Sequence, residues 1–138
     1  MTKTKTSTDT IAARLVFVAY IALVLLLCFG NFGDFTHHVS KSFLGIPTDK
    51  IVHFCMFFPF VTLSYFAVGR LYKSPWAALL LIIALFILGC VLAAATEIVQ
   101  GYLSYRTADP KDFRADSISL IANSVITWII DIYRRLKK

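Results

Sequence analysis

Charge is scarce in this sequence. Asp, Glu, Lys and Arg make up 16% of its 138 residues, against about a quarter in an ordinary soluble domain. So few charges cannot cover the surface of a protein facing water on all sides. Cysteine is scarce too, with Cys28, Cys55 and Cys90 each set in an apolar run and no C-x-x-C spacing. An odd count without that spacing excludes a disulfide framework and a thiolate zinc site, so all three read as small buried hydrophobes. No Ser- or Gly-rich linker, internal repeat or low-complexity tract divides the chain, which therefore reads as one domain. No Gly-rich phosphate loop and no nucleophile elbow is present. The net charge of +6 could suggest nucleic acid, but the basic residues flank apolar runs and form no stripe able to track phosphates.

Hydrophobic residues, by contrast, make up 58% of the chain, and its mean hydropathy is +0.73. Crossing the hydrocarbon core takes about 20 mostly apolar residues in helical form. Four segments qualify or come close: 11–29, 51–68, about 76–97 and about 116–130, the last the shortest and most polar. The expected fold is all-α, a four-transmembrane-helix bundle in a single domain over 1–138. Lys3, Lys5 and Arg14 would also suit a signal peptide ahead of the first segment, but no A-x-A site follows. Leu26-Leu27-Cys28 lacks the small residue of a lipoprotein cleavage box, so the segment is expected to stay as a membrane helix. Pro59 predicts a kink in the second span. Gly89 and Ala93, four apart in the third, predict a close helix approach.

Lys and Arg are distributed unevenly between the two sides. Lys3, Lys5, Arg14, Arg70, Lys73, Arg134, Arg135, Lys137 and Lys138 fall on one side, accompanied by Asp9 and Asp131 alone. The other side carries five basic residues and six acids: Asp34, Asp49, Glu97, Asp109, Asp112 and Asp116. The positive-inside rule then puts both termini in the cytoplasm and the acidic loops, about 30–50 and 98–115, outside. Trp76, Trp128, Tyr102, Tyr105 and Tyr133 sit near span ends and suit the interfacial belt.

Polar residues near membrane depth gather at the outer ends of three spans. Asp49, Lys50 and His53 enter the second. Glu97 and Gln100 leave the third. Arg106, Asp109, Asp112 and Asp116 fill the outer loop and open the fourth, which Ser119, Asn123 and Thr127 continue. Asp49 and His53 share a helical face, and Asp112, Asp116, Ser119 and Asn123 step by four, three and four into one stripe. An ionised side chain at the bilayer centre costs about 2.5–3.5 kcal/mol on the mildest scale. Each stripe should therefore turn inward, and the three should meet in one outward-opening pocket. Arg106 is expected to fork onto Glu97 or Asp109, Lys50 to pair with Asp112 or Asp116, and Asp49 and Asp112 to suit helix N-termini. His37 and His38, with His53 and the carboxylates, could bind zinc, but no ligand spacing is recognisable, and neither a metal nor a cofactor is expected.

Asp49-Lys50-x-x-His53-Phe54-x-x-Phe57 resembles the opening motif of the VanZ-like family of small bacterial membrane proteins. Glu97-x-x-Gln100 followed by Arg106-x-x-Asp109-x-x-Asp112-x-x-Ala115-Asp116 resembles that family's second motif. The resemblance covers about residues 49–119, and the four-helix layout extends it over most of the chain. Two positions depart from the family pattern: Asp116 stands where Asn is common, and Ser119 where Gly is usual. The resemblance implies a protein of the bacterial cytoplasmic (inner) membrane, part of the cell envelope. The family's namesake is associated with low-level resistance to the glycopeptide teicoplanin, and nothing in this chain ties it to a glycopeptide cluster.

The leading expectation is an outward pocket that binds a polar or phosphate-bearing ligand, lipid-linked or glycopeptide-related. In it Lys50, Arg106 and His53 meet the anionic part, and Asp49, Glu97, Gln100, Asp109, Asp112 and Asp116 complete the lining. Membrane lipids are the other expected partners, and nucleic acid is not one. An alternative is a membrane-embedded enzyme acting by hydrolysis or group transfer, with Glu97 or Asp116 as general base and His53 as acid. A transporter using the polar positions of the fourth span is the third.

Overall fold

A computed structural model describes residues 2–31, 42–68 and 74–137, with side chains from residue 8 onward. Asp34, His37 and His38, expected in an outer loop, and Arg70, Lys73 and Lys138, expected on the other side, lie outside the described residues. The chain forms α1 (Thr2–Phe29), a two-stranded hairpin of β1 (Ser42–Phe43) and β2 (Ile46–Pro47), α2 (Thr48–Phe57), α3 (Phe60–Val68), α4 (Pro75–Gln100) and α5 (Pro110–Leu136). Four stretches are long and apolar enough to cross a membrane: Thr8–Phe29, Thr48–Val68 (α2 and α3 together), Pro75–Gln100 and Pro110–Leu136. This is a multi-pass membrane protein.

The distribution of side chains follows from apolar solvation. Val18, Leu80 and Ile129 are 65%, 67% and 59% exposed, while Asp116, Ser119 and Thr127 are fully buried. In water such an apolar exterior would be an association surface; against acyl chains it costs nothing. The least apolar span, α5, accordingly takes the middle of the bundle, against α2, α3 and α4. Its polar stripe thus faces protein rather than lipid. Helix α1 lies further out, mainly against α3. The apolar core brings together Val24 and Cys28 of α1, Met56 and Phe57 of α2, Phe60, Val61 and Tyr65 of α3, Ala78, Ile82, Leu85 and Ala93 of α4, and Leu120 of α5.

Two expectations need correction. The fourth span is 27 residues long, not fifteen, and opens at Pro110. Pro110 at the first helical position needs no N–H partner. Asp109 caps the helix by accepting the Lys111 N–H at 2.9 Å, and Asp112 lies in its first turn, where an acid suits the helix N-terminus. Polar residues in the first two turns hid this start from a search for apolar runs. The third span likewise runs on to Gln100, which shortens the loop after it.

Proline 59 breaks the second span into α2 and α3. A break at this depth frees backbone groups that lipid cannot satisfy. The Tyr20 hydroxyl of α1 donates to the Met56 carbonyl at 2.6 Å, and the Thr62 N–H donates to Asn123 Oδ1 of α5 at 2.9 Å. Gly89 provides the expected close approach: a Cβ there would lie 2.7 Å from Leu120 Cδ2 and 3.0 Å from Phe60 Cδ1.

Candidate functional site

At one end of the bundle, where α2 and α5 begin and α4 ends, ionisable groups from three spans meet in two tiers. The tier nearer the helix ends is centred on Lys50. Its Nζ lies 2.5 Å from Asp112 Oδ1, 2.6 Å from Asp109 Oδ2 and 3.0 Å from Asp49 Oδ2. One ammonium with three donors thus serves three carboxylates. The Lys50 hydrogen bond, and after it the Lys111 N–H, holds the Asp109 carboxyl below the usual carboxylate range.

About one turn deeper lies His53, 8% exposed, with Glu97 at 7% and Asp116 at 0%. His53 Nδ1 stands 3.3 Å from Asp116 Oδ2 and 3.7 Å from Glu97 Oε1, and Nε2 faces Asp112 Oδ2 at 3.9 Å. Glu97 is anchored by its other oxygen, which accepts the Asp109 N–H at 3.1 Å. That bond ties the end of α4 to the cap of α5. Glu97 Oε1 and Asp116 Oδ1 are buried and have no hydrogen-bond partner among the described residues. A buried polar atom left in that condition costs about 1–3 kcal/mol, and more when charged.

Arg106 and Gln100 are placed differently from the sequence expectation. Arg106 meets neither Glu97 nor Asp109. One guanidinium nitrogen donates to the Leu27 carbonyl at 2.8 Å and the Gly30 carbonyl at 3.2 Å. Gln100 Nε2 donates to the Cys28 carbonyl at 3.0 Å, and the Tyr105 hydroxyl to the Phe29 carbonyl at 2.8 Å. The last carbonyls of α1 have no partners within their own helix; these three side chains supply them. A cation there also complements the negative end of the helix dipole. Nothing local marks these acceptors in the sequence, because they are backbone atoms more than seventy positions away.

The lower part of the α5 stripe is bonded to protein. Asn123 Nδ2 donates to Thr62 Oγ1 at 2.9 Å, and Thr62 Oγ1 lies 2.7 Å from Thr127 Oγ1. At the opposite end of the bundle, the Tyr65 hydroxyl donates to buried Asp131 at 2.6 Å, and Arg135 pairs with the same carboxylate. Arg134 lies over the Phe66 ring, 5.0 Å from its centre. Sequence reasoning counted Asp131 only as a charge; its spacing of four from Arg135 was the available signal. The partner roles of Tyr20, Thr62 and Tyr65 carried no such signal. A separate groove between α4 and α5, lined by Leu79, Ile83, Val125 and Trp128 among others, holds no ionisable side chain.

Comparison of the chain with protein-family models, with curated proteins and with solved structures gave no match in any of the three.

Proposed function

We propose that this chain is a VanZ-like membrane protein of the bacterial cell envelope, resident in the cytoplasmic membrane with both termini inside. Its polar end faces outward and binds the headgroup of a polar, phosphate-bearing envelope ligand carried on a lipid. The unpartnered buried oxygens of Glu97 and Asp116 beside His53 carry this reading. Hydroxyl or amine donors of a headgroup would repay their desolvation. The Lys and Arg asymmetry supports the orientation, and the motifs around Lys50, His53, Glu97 and Asp116 support the family.

Lys50 is already shared by three carboxylates and Arg106 is held by α1, so the ligand's anionic part has to find its positive charge elsewhere in the cluster. The protein extracted into native lipid discs should retain a specific envelope lipid, identified by mass spectrometry. Glu97→Gln and Asp116→Asn should each lose that lipid while keeping their helical content. Identical lipid content in wild type and both variants would refute the site.

The 3.3 Å pairing of His53 Nδ1 with Asp116 Oδ2 favours the enzyme reading as the second choice, since acid–base catalysis needs such a pair. Turnover of the retained lipid by wild type but not by Glu97→Gln would establish it. Transport draws no support from α5, whose Asn123 and Thr127 are bonded to Thr62.

A further inference from the structure

The two tiers differ in one respect that bears on their chemistry. Asp49, Asp109 and Asp112 surround an ammonium, that of Lys50. In the other tier His53 Nδ1 pairs with Asp116 Oδ2 at 3.3 Å, and one potential ligand atom from each of His53, Glu97 and Asp116 lies within 4.8 Å of the other two, while Glu97 Oε1 and Asp116 Oδ1 have no hydrogen-bond partner among the described residues. The positive charge of the upper triad is a lysine; that of the lower triad depends on a proton on His53.

We propose that His53 Nδ1, Glu97 and Asp116 form a binding site for a divalent transition metal ion of the zinc type. A tetrahedral ion with bonds of about 2.0–2.2 Å needs neighbouring ligand atoms about 3.4 Å apart. The distances from His53 Nδ1 to Asp116 Oδ2 and Glu97 Oε1 are 3.3 and 3.7 Å. Those separations fall close to the required edge, and 3.7 Å is too long for a hydrogen bond. One imidazole nitrogen with two carboxylates is a donor set that suits zinc better than magnesium, which prefers six oxygens.

The groups behind the ligands lie on the sides where a metal site needs them. A ligating histidine generally presents its other ring nitrogen to a carboxylate or carbonyl. Here Nε2 faces Asp112 Oδ2 at 3.9 Å, so a modest closure is needed to form that bond, while Lys50 holds the other oxygen of Asp112. Glu97 is oriented by the Asp109 N–H on one oxygen, which leaves Oε1 for the ion. The buried charge also balances, since Asp49 and Asp109 are open to solvent. Lys50 offsets Asp112, so Glu97 and Asp116 remain as two buried carboxylates that one divalent cation neutralises. Three protein ligands leave a position open, where a phosphate oxygen could bind. That supplies the positive centre the headgroup needs.

The inference rests on the cluster used for the ligand reading, but the two can fail separately. Wild type that retains its lipid but takes up no zinc would sink the metal site alone. Metal retained without lipid would sink the headgroup reading alone.

The test uses the full chain in lipid discs, stripped with chelator and refilled with zinc alone. Elemental analysis after washing should find about one zinc per chain, and zinc should raise the unfolding temperature where equal magnesium does not. Absorption-edge spectroscopy should report nitrogen and oxygen neighbours with an imidazole signature. Glu97→Gln and Asp116→Asn should each weaken zinc binding more than tenfold, and Asp112→Asn by roughly 10–100-fold. Asp131→Asn, a buried carboxylate at the other end, should keep it. Wild type that holds no zinc, a sulfur neighbour in the spectrum, or equal zinc retention by the Glu97 and Asp116 variants would each overturn the proposal. The wild-type measurements decide the matter even if a variant fails to fold.

Discussion

Replacing Asn123 by leucine keeps the side-chain volume and removes two hydrogen bonds, both 2.9 Å long: Thr62 N–H to Oδ1 and Nδ2 to Thr62 Oγ1. The first matters more. Pro59 interrupts the second span, so the Thr62 N–H at the start of α3 depends on a side chain of α5. Polar bonds between membrane helices average about 0.6 kcal/mol and reach about 1.7, while a stranded buried N–H costs about 1–3 kcal/mol. The Thr62 hydroxyl still has Thr127, 2.7 Å away. The expected loss is therefore about 2 kcal/mol, dominated by the backbone donor. Reversible unfolding by SDS in mixed micelles can read a change of that size. Pro59→Ala should lessen it, because a helix rebuilt across the break returns the Thr62 N–H to a carbonyl of its own segment. An equal Asn123→Leu loss with proline or alanine at 59 would refute the coupling between break and cap.

Other outcomes follow from the same coordinates. Gly89→Ala should destabilise by about 1–3 kcal/mol, since its methyl would meet buried Leu120 and Phe60; combined with Leu120→Ala, the loss should be smaller than the sum of the two single losses. Arg106→Ala should cost about 1.5–3 kcal/mol, the range for charged hydrogen bonds, and hydrogen exchange should quicken at the end of α1 rather than around Glu97. Because Lys50 lowers the Asp109 carboxyl in the folded state, that contact contributes fully at pH above the ordinary carboxylate range and is lost as pH falls through the lowered native value. The stability difference between wild type and Asp109→Asn should therefore narrow in acid. A gap that stays constant to low pH would contradict the pairing.

The convergence of three spans could be read from one rule, that hydrocarbon does not accept lone polar groups. It correctly grouped Asp49, Lys50, His53, Glu97, Asp109, Asp112 and Asp116. The same rule does not say what satisfies each group. For Arg106 it suggested the nearest carboxylates; the acceptors are carbonyls at the end of α1. For Asn123 and Thr127 it allowed a polar route; the partner is the residue that Pro59 strands. In each case the missing information was a backbone atom freed by a helix end or break in another span, and backbone atoms look alike in every sequence.

Sequence by itself determined that the chain crosses a membrane, where its first three spans lie to within about three residues, where the second one breaks, and which acids gather at one end. These follow from transfer free energies and from the missing N–H of proline, which belong to residues wherever they fold. Only the tertiary structure decided that Lys50 is shared by three carboxylates while His53, one turn away, meets Glu97 and Asp116. Pairing of that kind depends on the rotation and depth of three helices against each other to within an ångström, and side-chain packing across the bundle sets both.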